Sequence, residues 1–165
     1  MAKSSQYKIH QKLLSIGDDY WIENEQGQKV FKIDGKALRI RKTLIMEDSQ
    51  GTPLCQIQER MLRVKDTMEI EDPHGKRIAL VQKNLINLLT EHWKVKIRDG
   101  ADLSVTGDIL DHEYTIREGF KKVAEVSKKW FKLTDTYGVD IDDDQEVMII
   151  LAVAIAIDMM AHADD

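Results

Sequence analysis

With 165 residues, 42% of them hydrophobic and 32% charged, the chain fits one domain large enough to bury a core without disulfide or metal staples. Its net charge is −5, its basic bias outside the acidic C-terminal segment is too weak to imply a nucleic-acid partner, and no recognition helix, zinc finger or aromatic RNA-binding signature is present. The charge is uneven: from Asp140 onward there are eight acids and no Lys or Arg, so the rest of the chain is mildly basic at +3.

The N-terminal stretch Met1 to His10 has no apolar core of a secretory signal. The lone Cys55 cannot form an internal disulfide. A cytoplasmic location is therefore expected. From there to Asp140 the sequence alternates and repeats. Glycines fall at Gly27, Gly51, Gly75 and Gly100, and apolar anchors at Leu14, Leu38, Leu62 and Ile86, in steps of about 24 residues. Each unit reads as two short strands. One follows a polar turn such as Glu23 to Gly27, Glu47 to Gly51 or Glu71 to Gly75; the other follows a tight turn such as Asp34-Gly35. Leu38-Arg39-Ile40-Arg41 and Leu62-Arg63-Val64-Lys65 then alternate with period two, as a strand with one wet face does. Less regular units recur at Asp108 to Ile116 and Lys129 to Val139. Six units give about twelve strands.

The last segment changes character. Val147 to Ile157 is apolar without interruption, and a helix apolar on every side must be buried on every side. The run ends at Asp158, short of the ~20 residues that span a bilayer, so a core helix over 143–161 is predicted rather than a membrane anchor. Asp142 or Asp143 is the expected N-cap, with Gln145 or Glu146 completing a capping box. Barrels of about eight strands hold only side chains, whereas about eleven enclose a helix. The expected fold is thus mainly β: an antiparallel closed barrel of about twelve strands, over 1–139, around a hydrophobic C-terminal helix, all in one domain over 1–165.

The segments Gln11 to Tyr20, Gly107 to Tyr114, Val123 to Phe131 and Asp135 to Val139, followed by the apolar helix, resemble the LURP-one-related family in kind and order. The resemblance spans essentially the whole chain and looks most like a bacterial member. It implies the barrel shared with the C-terminal domain of tubby proteins and with phospholipid scramblases. The phosphoinositide-binding motif of tubby proteins has no residue-by-residue match here, so the resemblance supplies no binding site.

Candidate sites are few. Arg39, Arg41, Arg63 and Lys65, with Lys42 and Arg60 nearby, form an outward basic set that would suit anionic lipid head groups; a plain solvated sheet face is the simpler alternative. Asp140 to Asp144 starts like a calcium loop, but Gln145 stands where Gly is needed and Leu151 where a bidentate Glu is needed, which favours helix capping. His112, between Asp111 and Glu113, finds no ligand spacing with His10, His74 or His92 and reads as a turn or strand residue with local hydrogen bonds. Asp158 reads as an acid near a helix end that reaches solvent or a wall lysine, with a buried functional acid of shifted pKa as the alternative. There is no nucleophile elbow, no Cys with a plausible His partner and no phosphate-cradling glycine loop. The expectation is a non-enzymatic binding or scaffold domain without metal or cofactor. Peripheral contact with anionic membrane lipid is one candidate role and a protein-interaction module the alternative. Carriage of a small molecule inside the barrel is disfavoured, because the helix should fill it.

Overall fold

A computed structural model describes residues 3–10, 19–35, 43–59, 67–85, 91–131 and 136–162. Twelve strands precede one helix: β1 (Ser4–His10), β2 (Asp19–Glu23), β3 (Lys29–Asp34), β4 (Thr43–Asp48), β5 (Pro53–Glu59), β6 (Thr67–Glu71), β7 (Arg77–Leu85), β8 (Glu91–Ile97), β9 (Leu103–Asp108), β10 (Glu113–Glu118), β11 (Lys121–Ser127), β12 (Thr136–Asp142) and α1 (Val147–Ala161). Each strand pairs antiparallel with its sequence neighbours. The sheet closes where β1 meets β12, in register from Ser4↔Asp142 to His10↔Thr136. Closure leaves no unpaired edge to aggregate.

The period-two pattern does what it must in such a wall. Alternate residues such as Leu44 and Met46 of β4, Cys55 and Ile57 of β5 and Val139 and Ile141 of β12 are buried, and the residues between them face outward. The inward side chains meet α1, which packs against β5, β6, β7 and β12. Every residue from Ile150 to Met159 is buried, so the helix has no wet face. Ala152, Ala154 and Ala156 let the wall come close, and Leu151, Val153 and Ile157 fill the space between strand side chains.

The strand ends divide between two rims. Odd-numbered strands end at one rim and even-numbered strands at the other, together with the turn into α1. The helix enters at the second rim and exits at the first. Three entry-rim turns share one chemistry at the 24-residue period. Oδ1 of Asn24, Asp48 and Asp72 accepts the backbone N–H groups two and four residues later at 2.9–3.0 Å. Gly27, Gly51 and Gly75 supply the left-handed backbone that follows, with φ of 75°, 86° and 82°. The fourth unit departs because Lys96 stands where the Asx acceptor would be, and Asp99 rather than a glycine takes the positive φ.

The helix begins later than the acidic run suggested. Glu146 occupies the N-cap position without a side-chain cap bond. Pairing with β1 carries β12 through Asp142. The acids are satisfied there and in the following turn: Ser4 donates to Asp140 at 3.2 Å, Ser5 donates to Asp143 at 3.0 Å, and Lys121 pairs with Asp144. The sheet thus takes the residues expected to cap α1.

Candidate functional site

The chemistry concentrates where α1 leaves the barrel. Beyond the apolar run, Asp158 lies in the last turn of α1 and His162, four positions on, is its C-cap, with its N–H bonded to the Asp158 carbonyl. The β9–β10 turn brings His112 to meet them. Its N–H donates to Ile109 O at 3.2 Å, and its backbone is left-handed with φ of 55°, a conformation uncommon outside glycine. That twist accompanies an imidazole that is 1% exposed.

His112 Nε2 lies 2.5 Å from Asp158 Oδ1 and donates to it, because an ionised carboxylate can only accept. His162 Nδ1 lies 3.1 Å from the same oxygen and also 3.1 Å from the Asp158 carbonyl. The His112 ring is sandwiched between Tyr137, with centroids 4.3 Å apart, and His162, at 5.3 Å with planes 8° apart. Burial pushes the Asp158 carboxyl upward, but the hydrogen bonds from His112 and His162 outweigh it, and the net direction is below the ordinary carboxylate range. Burial, and then the Asp158 charge, raise the phenols of Tyr114 and Tyr137 well above their usual value. Both phenol oxygens, and Asp158 Oδ2, are buried without a hydrogen-bond partner among the described residues.

These contacts correct two sequence expectations. His112 is a turn residue, but its principal side-chain bond reaches 46 positions along the chain rather than locally. Asp158 is 4% exposed and meets two imidazoles instead of solvent or a wall lysine, because the helix ends inside the rim and not beyond it. His162 escaped notice altogether. The Asp-x-x-x-His spacing at the end of a buried helix was the signal that could have found it. The expected basic set, Arg39, Arg41, Arg63 and Lys65, with Lys42 and Arg60, lies outside the described residues, as do the strands expected at 38–41 and 62–65.

A family model described as LURP-one-related matches residues 5–158. The chain belongs to the LURP-one-related family. Over 66 residues, 40% of its length, this LURP-one-related chain is 32% identical to the uncharacterized protein YxjI of Bacillus subtilis strain 168. That match spans 41% of the Bacillus protein's own length. In structure the chain is similar to an Arabidopsis thaliana protein solved by X-ray crystallography, with a TM-score of 0.67 at 16% identity over 96% of this chain and 92% of that one. Such a likeness speaks for fold alone, and the fold is the tubby-like barrel that the sequence resemblance implied.

The entry rim of this LURP-one-related barrel is acidic: the connections after even-numbered strands and the turn into α1 contain seven Asp and Glu against two Lys and Arg. By sequence, the connections after odd-numbered strands hold eleven Lys and Arg against four Asp and Glu, nine of those cations outside the described residues. Trp130 and Leu110, 37% and 56% exposed, belong to the exit-rim connections, while the fully exposed Phe120 belongs to the acidic rim. A half-open cleft of about 420 Å³ lies beside the helix start, lined by Arg98, Glu118, Asp144, Glu146, Ile149 and Ile150. It opens at the acidic mouth, not along the enclosed middle of α1. No helix of the described residues is long and apolar enough to cross a membrane.

Proposed function

We propose that this LURP-one-related barrel is a non-enzymatic, cytoplasmic binding domain that docks peripherally on anionic phospholipid head groups through its exit rim, with Arg39, Arg41, Arg63 and Lys65 as the principal cations. One observation supports this above the others: the excess of cations, by sequence, in the connections after odd-numbered strands against an excess of acids at the entry rim. The two segments holding the principal cations are bounded by the ends of β3, β4, β5 and β6, which are consecutive neighbours in the wall. Trp130 and Leu110 give the same rim apolar groups for the head-group boundary. The interior offers a ligand little room because α1 fills it.

Liposome co-sedimentation tests the reading, with neutral and anionic vesicles at low and physiological salt. Binding should require anionic lipid and weaken as salt screens the rim. At ~1 kcal/mol per cation near an acidic surface, reversing all four cations to Glu should weaken binding at least about a thousandfold. If the wild-type chain stays in the supernatant while anionic vesicles pellet at low salt, the lipid reading is wrong and the module instead engages a protein.

A further inference from the structure

Beyond lipid docking, and independently of it, we infer that His112, Asp158 and His162 form a binding site for one divalent transition-metal ion of the zinc class. Their ligand atoms, one from each side chain, already lie within 4.8 Å of one another. Two imidazole nitrogens and a carboxylate oxygen are a donor set for zinc and its neighbours, whereas magnesium and calcium require oxygen. Asp158 in the last turn of α1 and its C-cap His162, whose N–H bonds the Asp158 carbonyl, hold two ligands together, and the left-handed turn at His112 delivers the third from the wall.

Three further features point to a cation. Asp158 Oδ2 is buried and unpartnered, so the carboxylate holds acceptor capacity that neither histidine uses. The hydroxyls of Tyr114 and Tyr137 are equally unpartnered and close enough to feel the Asp158 charge, which suits them to hold a metal-bound water. The site also lies at the C-terminal end of α1, where the helix dipole favours positive charge and disfavours a lone carboxylate.

Ligands ~2.0–2.1 Å from a tetrahedral ion stand roughly 3.3 Å apart. His112 Nε2 and Asp158 Oδ1, now 2.5 Å apart, must therefore separate slightly, the ion replacing the proton they share. Each imidazole then presents a bare nitrogen, its proton leaving or moving to the other ring nitrogen. With three protein ligands the fourth position is left to water, the arrangement of a site open to a further ligand.

The test uses the full chain freed of metal by chelator dialysis and titrated with Co²⁺, then Zn²⁺. One equivalent of Co²⁺ should raise the visible absorption of a four- or five-coordinate nitrogen–oxygen site, and Zn²⁺ should abolish it. His112→Gln risks the fold, because that residue holds a left-handed turn in the core. His162→Gln, at a helix end with the side chain 19% exposed, and the near-isosteric Asp158→Asn keep the test readable, with circular dichroism as the check on folding. Each should weaken Co²⁺ binding at least about tenfold. A folded wild-type chain with no stoichiometric Co²⁺ spectrum would overturn the site. So would a titration unchanged in both folded variants, which would put the ion on surface histidines such as His74.

Discussion

Substituting Ile155 by alanine tests whether α1 is enclosed. Ile155 is 0% exposed and sits mid-helix, inside the closed sheet. The substitution removes three carbons, worth ~0.8 kcal/mol each in transfer alone, or roughly 2.4 kcal/mol. A wall hydrogen-bonded all the way round can collapse only partly onto the void, so a cavity penalty adds to this. The total should fall near 3–4 kcal/mol, within the ~2–5 kcal/mol range of buried Ile→Ala changes. For a chain of this length each kcal/mol lowers Tm by about 2–4 °C, which gives a drop of about 6–16 °C. Calorimetry and urea denaturation of the wild type, Ile155→Ala and Ile149→Ala would measure it. Ile149 is the internal comparison, half-buried at the helix entrance, and should cost less than half as much. A loss below about 1 kcal/mol at Ile155, or equal losses at both positions, would refute the enclosed helix.

Other expectations follow from single contacts. Cys55 is 2% exposed and its thiol is pushed up to about 12 by burial, so an aromatic disulfide reagent at pH 8 should label it only in denaturant. Because the folded pKa stands above the unfolded value near 9, the group's contribution to stability is whole below pH 9 and lost as pH rises toward 12. A Cys55→Ala variant should show a flatter alkaline limb in melts across that window. Gly138→Ala would set a Cβ 2.7 Å from the Trp130 ring and 2.8 Å from Phe131, and should cost about 1–3 kcal/mol by denaturation, with partial recovery in Gly138→Ala/Trp130→Leu. Asp48→Ala strands two backbone donors in a surface turn, at Gln50 and Thr52, and should cost about 1–2 kcal/mol. A change at Asp48 below about 0.3 kcal/mol would mean that water replaces the carboxylate fully.

Strand number and the buried helix were legible in the sequence because the first rests on a repeat and the second on an unbroken apolar run, and closure followed from the need to enclose that helix. The 24-residue recurrence of Asn24, Asp48 and Asp72 with their glycines is a turn chemistry written three times, and the apolar run through α1 admits only burial. The start of α1 was not legible from local rules. Asp142 and Asp143 have the chemistry of a helix cap, but Ser4 and Ser5, about 138 positions away, hold this stretch in the sheet. The His112–Asp158–His162 cluster was hidden for the same reason. Its members come from a wall turn and from the far end of the helix, and only the closed barrel sets how deep the helix ends and which turn it meets. The Asp158–His162 spacing marks two members of the site, but nothing along the chain ties them to His112.

That closure also governs when the fold can form. β1 finds its principal partner in β12, and the two are joined in sequence by nearly the whole chain. At ~5–20 residues per second, β1 waits roughly 7–28 s during synthesis before β12 has even been made. The hairpins between can form early on local contacts, but they make an open, curling sheet whose inner face has nothing to grip until α1 has been made. Maturation therefore waits on the segment from β12 through α1, which completes seam and plug together. A chain stopped short of residue 147 would carry all twelve strands and still be a client for chaperones rather than a smaller barrel.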